Sequence, residues 1–186
     1  MPAKVVPAPT VSTVIHIDAC KDGFAAVVVP KRGNPWLIQH GWTHEEAERL
    51  NVKRSTNSEP EAVVRVSELL VSLGDPGRHL FVSDHQQFTY AMQKGYSLSQ
   101  ENNERLKRLA PWSDIVFEPG RLSIADPYSR FHRKSLTSDD AAEAIARSRV
   151  YADACRRGSA YGIVGWGRSA PSRVFRENRH TEDPTV

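Results

Sequence analysis

The 186-residue chain contains only two cysteines, Cys20 and Cys155, and they lie far apart in the sequence. They form no CxxC pair and no combination with histidine at the spacing of a zinc site, so neither a disulfide framework nor structural zinc is indicated. Isolated thiols are typical of a reducing compartment. The sequence therefore predicts a cytoplasmic protein.

Long hydrophobic runs are also missing. The first residues, MPAKVVPAP, are interrupted by proline and lack the continuous apolar segment of a signal peptide. No stretch approaches the ~20 apolar residues that a membrane-spanning helix requires. We expect no membrane association.

The chain is predicted to divide into a Pro-rich leader at residues 1–11, a single domain at 12–157 and a basic tail at 158–186. Within the domain, apolar runs and turn signals predict three strands, a helix, a strand, two helices, a strand and a C-terminal helix. This order indicates an α/β fold, a mixed five-stranded sheet flanked by helices. In the tail, aromatic residues alternate with arginines, which favours either an accessory nucleic-acid contact or an inert flexible segment.

Four acids lie at the boundaries of predicted elements. Asp18 ends the first strand, Glu61 opens the first long helix, Asp84 ends the fourth strand, and Asp126 follows a short apolar segment. Strand ends of an α/β sheet collect functional sites, and acids gathered there repel one another unless a cation is bound. Oxygen-only ligands suit Mg²⁺ or Mn²⁺. Committing these acids to one site leaves a more basic surface than the net charge of +3 suggests, which favours a polyanionic partner.

The helical glutamate has alternatives. Ser58 and Glu61 have the spacing of a capping box, in which Glu61 would bond to backbone and perform no chemistry. Glu59 competes with Glu61 for the metal role, and the spacing to Ala62 favours Glu61. The aspartates have structural alternatives as well, since Asp84 suits a helix cap and the other two suit turns or caps.

Taken in order, these acids and their surroundings resemble the ribonuclease H family, and most of all the RNase H domain of retrotransposon-type reverse transcriptases. The resemblance covers roughly residues 12–130 and lies in five blocks: 18–28, DACKDGFAAVV; 59–64, EPEAVV; 83–85, SDH; 119–121, PGR; and 125–130, ADPYSR. It implies an RNase H-like fold and an endonuclease that hydrolyses the RNA strand of RNA·DNA hybrids with two Mg²⁺ or Mn²⁺ ions. Asp18 would be the shared ligand, Glu61 and Asp84 would complete one ion site, and Asp126 the other.

The resemblance also implies substrate contacts. Ser55, Thr56 and Asn57 lie just before the functional glutamate and would meet 2′-hydroxyl groups of the RNA, although Asn57 suits a turn equally well. Cellular members of the family carry a histidine in the loop before the last aspartate, whereas this loop reads GRLSI at residues 120–124. Arg121 of that loop would contact phosphate instead, or lie free in solvent.

Two other functions remain open. A different nuclease on the same fold is one, although the first strand lacks the Asp-x-Glu of proofreading exonucleases, and integrase-type enzymes place their glutamate last. The second is a nucleic-acid-binding module without catalysis. Four retained acids disfavour it, because negative charge where phosphates dock weakens binding.

Overall fold

The computed structural model describes residues 10–75 and 77–156 of the chain. Most of the predicted leader and the whole predicted basic tail lie outside the described residues. The strands are β1 (Val11–Ala19), β2 (Gly23–Pro30), β3 (Trp36–Gly41), β4 (Arg78–Ser83) and β5 (Ser113–Phe117). The helices are α1 (His44–Leu50), α2 (Ser55–Ser72), α3 (Gln86–Lys94), α4 (Gln100–Arg108), α5 (Asp126–Ser129) and α6 (Ser138–Arg156), and a short 3₁₀ turn spans Gly120–Leu122.

The strands form one sheet in the order β3-β2-β1-β4-β5. The first three strands are an antiparallel meander, while β4 runs parallel to β1 and β5 runs parallel to β4. Parallel neighbours need a crossover connection, and α3 and α4 supply it between β4 and β5. The predicted α/β architecture, a mixed five-stranded sheet flanked by helices, is confirmed.

Helices cover both faces of the sheet. Because side chains alternate along a strand, Ile15 and Ile17 of β1 pack under α2, α3 and α4, whereas Val14 and His16 face α6. His16 Nε2 lies 2.9 Å from the hydroxyl of Ser148 on α6, and both side chains are buried. The C-terminal helix α6 therefore packs on the sheet.

The long helix α2 begins earlier than the sequence suggested. Glu61 was expected to open it, but it starts at Ser55, because the N–H groups of Asn57 and Ser58 already bond to the carbonyl of Arg54 at 3.0 and 3.2 Å. Pro60 lies inside the helix. Since Ser58 is now a helical residue and not a cap, the predicted capping box with Glu61 does not form.

Two smaller expectations are settled in the same region of the fold. The charged segment after β3 contains a short helix, α1, closed by a capping box of Thr43 and Glu46. The cap of α3 is His85, whose side chain accepts a hydrogen bond from the N–H of Phe88, so Asp84 is not used as the cap.

Along the described residues, no helix combines the length and apolar character needed to span a membrane.

The turn between β1 and β2 is tightly packed at Gly23, which pairs with Gly41 of β3. A Cβ atom at Gly23 would lie 2.2 Å from the carbonyl oxygen of His40 and 2.9 Å from the ring of Phe131. We expect Gly23→Ala to lower the free energy of unfolding by about 1 to 3 kcal/mol, because neither neighbour can move without disturbing the hairpin. Urea unfolding measures this change.

The matched control is Gly41→Ala, where the nearest atom to the new Cβ would be the Phe131 ring at 3.7 Å, an ordinary contact. This variant should unfold close to the wild-type midpoint. Equal losses in the two alanine variants would show that strand propensity, and not the close approach at Gly23, governs the turn.

Candidate metal centre

Three carboxylates meet at one edge of the sheet. Oxygen atoms of Asp18, Glu59 and Asp84 all lie within 4.8 Å of one another. Asp18 is near the end of β1, and Asp84 directly follows β4, the parallel neighbour of β1. Parallel neighbours end at the same edge of a sheet, so strand pairing alone brings the two aspartates together. Glu59 reaches them from the second turn of α2.

Asp18 is buried and is oriented by α5. The hydroxyl of Ser129, itself fully buried, donates a hydrogen bond to Asp18 Oδ2. Burial raises the pKa of Asp18 to about 6, and the negative charges of Asp84 and Asp126 add to the increase, although the bond from Ser129 opposes it. The carboxylate form of Asp18 is therefore disfavoured until a cation is present.

Glu59 is the most enclosed of the three acids. Its Oε1 accepts a hydrogen bond from the Ser83 hydroxyl at 3.0 Å, and its Oε2 accepts one from the N–H of Ala19 at 3.1 Å. Burial raises its pKa well above the ordinary value, and the charges of Asp18 and Asp84 raise it further. The glutamate is thus held in one position by two strands, at an electrostatic cost that a bound cation would relieve.

Asp84 is half-buried, and its pKa is raised first by burial and also by the charge of Asp126. The loop after β5 closes over it. A Cβ atom at Gly120 would lie 2.5 Å from Asp84 Oδ2, so position 120 has room for glycine alone unless the aspartate moves. The loop after β5, which reads GRLSI at residues 120–124, therefore approaches the site at Gly120.

Asp126 lies at the start of α5, on the solvent side of the group. It is not one of the three acids within 4.8 Å, but its charge acts on both Asp18 and Asp84. The guanidinium of Arg130, one turn later, lies 3.1 Å from Asp126 Oδ1. The structure thus places three of the four predicted acids, Asp18, Asp84 and Asp126, at one edge.

The fourth predicted acid, Glu61, lies elsewhere, and Glu59 occupies the position expected for it. Glu61 is surrounded by Arg65, Arg105 and Arg108, whose guanidinium nitrogens approach its oxygens to 3.2 or 3.3 Å. Burial opposes ionisation, but the charge of Arg108 and hydrogen bonds from all three arginines lower the pKa of Glu61. Two residues correspond to about 200° around a helix, so Glu59 and Glu61 face opposite directions.

The residues predicted to contact substrate lie in two segments, the start of α2 and the 3₁₀ turn after β5. Ser55 and Thr56 are exposed in the first turn of α2, and Arg121 is exposed in the 3₁₀ turn. The side chain of Asn57 is engaged, since its Nδ2 donates to the Asn51 carbonyl at 3.3 Å. The backbone carbonyl of Ser55 accepts a hydrogen bond from His85, the residue that follows Asp84.

A divalent cation fits this group of side chains. Every candidate ligand is a carboxylate oxygen, and neither histidine nor cysteine belongs to the group within the described residues. Hard cations such as Mg²⁺ and Mn²⁺ take such ligands. Two of the acids are buried with raised pKa values, so a cation would convert an unfavourable set of charges into a favourable one.

The sequence and the fold were compared with known proteins. No protein-family model matches the chain. No curated protein matches it in sequence either. Among solved structures, an RNase H1 from the halophilic archaeon Halobacterium salinarum is similar over 65% of this chain and 97% of that chain, with 13% sequence identity and a TM-score of 0.42.

Sequence reasoning missed two hydroxyl groups and one glycine at this site. Ser83 and Ser129 each donate to one carboxylate, and Gly120 makes room for Asp84. Ser83 is adjacent to Asp84, and Ser129 follows Asp126 by three residues, so proximity to the acids was the available signal. It does not reveal which acid each hydroxyl meets, because both bonds connect distant parts of the chain.

We expect the metal-free protein to lose stability between about pH 4 and pH 6, relative to Asp18→Asn. Burial raises the Asp18 pKa from 3.8 to about 6, so the folded state retains a proton that the unfolded chain has released. That stabilisation is complete below pH 3.8 and is lost as the pH rises through 6. The difference should reach roughly 3 kcal/mol by pH 7.

Urea unfolding in EDTA across this pH range measures the effect. Asp22→Asn, which removes an exposed acid from the adjacent turn, is the control and should follow the wild-type profile. Parallel profiles for wild type and Asp18→Asn would show that the folded state does not disfavour the ionised form of Asp18.

Proposed function

We propose that this protein is a divalent-metal-dependent endonuclease of the ribonuclease H type, which hydrolyses the RNA strand of RNA·DNA hybrids. The observation that supports the proposal most directly is the meeting of Asp18, Glu59 and Asp84 within 4.8 Å at one edge of the sheet. Burying acids together lowers stability, so their retention is best explained by a cation and the chemistry it brings.

In this proposal the position of each acid determines its role as a metal ligand. Asp18 lies within 4.8 Å of both Glu59 and Asp84 and also experiences the charge of Asp126, which suits a ligand shared by two ions. Glu59 takes the role that the resemblance assigned to Glu61. Two Mg²⁺ or Mn²⁺ ions held here would lower the pKa of the attacking water and stabilise the leaving oxygen.

Hydrogen-bond donors next to the acids orient their carboxyl groups. Ser129 fixes one oxygen of Asp18, so the other oxygen is presented in a constant direction. Ser83 and the N–H of Ala19 fix Glu59 in the same manner. Carboxyl groups held in fixed positions are what precise positioning of a reacting phosphate requires.

Recognition of RNA is proposed to come from the exposed start of α2. Ser55 and Thr56 present hydroxyl groups at the rim, and a 2′-hydroxyl is what distinguishes RNA from DNA at a given position. Asn57 supports this turn through its bond to Asn51. Arg121, exposed beside the glycine that touches Asp84, is proposed to contact a phosphate.

We expect purified protein to cleave the RNA strand of a labelled RNA·DNA hybrid in Mg²⁺ or Mn²⁺ and to be inactive in EDTA. The same assay should include duplex RNA, duplex DNA and single strands. A hybrid that is bound but left intact at high protein concentration in both metals would indicate a binding module. Preferential cleavage of duplex DNA would indicate another nuclease on this fold.

A pair of variants tests which glutamate belongs to the site. We expect Glu59→Gln to lower kcat by about a hundredfold or more, since loss of even an indirect metal contact costs 10–100-fold. Glu61→Gln should retain activity but lower the free energy of unfolding by roughly 1 to 3 kcal/mol, because three arginines lose one of their polar contacts to a charged group.

Hybrid cleavage and urea unfolding measured on both variants provide the comparison. The reverse pattern, an inactive Glu61→Gln beside an active Glu59→Gln, would return the metal role to Glu61. Asp84→Asn should resemble Glu59→Gln in losing activity while remaining folded.

A further inference from the structure

Arg130 is the charged residue that borders the acid group on its solvent side. Its Nε lies 3.1 Å from Asp126 Oδ1, with 54% of the arginine side chain and 43% of the aspartate side chain exposed. Asp18 and Cys20 also contribute to the field at Arg130, and together with the bond to Asp126 they raise its pKa. A guanidinium group therefore lies where substrate approaching from solvent would meet the site.

The backbone at Arg130 is fixed on both sides. The preceding residue, Ser129, is buried, bonds to Asp18 through its hydroxyl and accepts a hydrogen bond from the Cys20 thiol at 3.3 Å. The following residue, Phe131, has a positive φ of 59° and places its ring against Gly23. A bulky residue adopts such a φ only where its surroundings hold it. Arg130 thus presents an exposed side chain from a fixed backbone.

The ion pair between Arg130 and Asp126 is of a kind that is readily exchanged. A solvent-exposed pair contributes at most about 1 kcal/mol. A divalent cation bound to Asp126 would neutralise the aspartate and repel the guanidinium. The guanidinium would then be free to bind another anion, and its planar set of donors matches the oxygens of a phosphate.

We propose that Arg130 binds a backbone phosphate of the nucleic acid, and that it leaves Asp126 to do so when the metal enters. This inference rests on the proposed function and adds to it a residue that touches substrate. It makes two predictions of opposite sign for one substitution. When Arg130 is replaced by a neutral residue, Asp126 loses its ion-pair partner and should bind metal more tightly. The protein as a whole should then bind the nucleic acid more weakly.

Arg133 provides a matched control three residues further along. It is similarly exposed, at 48%, and it also pairs with an aspartate, since its guanidinium lies 2.7 Å from Asp140 Oδ2. Asp140 belongs to α6 and bonds to the Tyr128 hydroxyl, not to the acid group. Arg133→Gln therefore removes the same charge from the same loop without altering the partner of Asp126.

The experiment measures two quantities in wild type, Arg130→Gln and Arg133→Gln. Calorimetric titration with Mn²⁺ in the absence of nucleic acid gives the metal dissociation constant, and steady-state cleavage of a hybrid at saturating Mn²⁺ gives KM and kcat. For Arg130→Gln we expect the dissociation constant to fall about two- to fivefold and KM to rise about tenfold or more, with kcat changed far less. Arg133→Gln should match wild type in both.

Arg130→Lys refines the result. It keeps the charge beside Asp126 but loses the bidentate contact with phosphate. Metal affinity should therefore stay near wild type, while KM should lie between those of wild type and Arg130→Gln. An unchanged KM in Arg130→Gln overturns the inference, whatever happens to metal affinity. Weaker metal binding in that variant overturns it too, because Arg130 would then be supporting Asp126 and not competing for it.

Failure of the proposed function would look different. Wild-type protein that binds Mn²⁺ but neither binds nor cuts the hybrid would overturn the nuclease proposal itself. A normal wild type with an unaltered Arg130→Gln would overturn this inference alone.

Discussion

The repulsion between carboxylates buried at one sheet edge is the constraint on which the rest of this structure depends. Asp18 and Glu59 are nearly excluded from solvent, and each raises the cost of ionising the other. Such a group persists only where the surrounding fold holds it in place. The parallel pairing of β1 with β4 does so for the aspartates, and donors from Ser83, Ser129 and the Ala19 backbone do so for individual oxygens.

Helix α2 separates two opposite electrostatic environments. Through Glu59 it adds a carboxyl group with a raised pKa to a site that already holds two acids, and through Glu61 it supplies the counter-ion for arginines of its own helix and of α4. The two environments are on opposite sides of the helix because of its 3.6-residue period. The arginine cluster anchors α4 against α2, so the ion pairs that hold the helix also fix the direction in which Glu59 points.

The last acid of the site depends on α6, which follows the region covered by the family resemblance. Tyr128, in the same short helix as Asp126, donates its hydroxyl to Asp140 of α6 at 2.6 Å. Arg147 of α6 pairs with Glu118 at 3.2 Å, at the start of the loop that brings Gly120 against Asp84. Packing of α6 on the sheet thus supports both segments that close the solvent side of the site.

The sequence by itself determined the strands, their mixed sheet and the edge that carries Asp18 and Asp84, because alternation, turn residues and strand ends are local signals. It did not distinguish Glu59 from Glu61, which flank the same proline and share one local context. That choice depends on the rotation of α2 about its axis. The rotation is fixed by the helix start at Ser55, by packing against the sheet and by the arginines of α4, all of which only the tertiary structure decides.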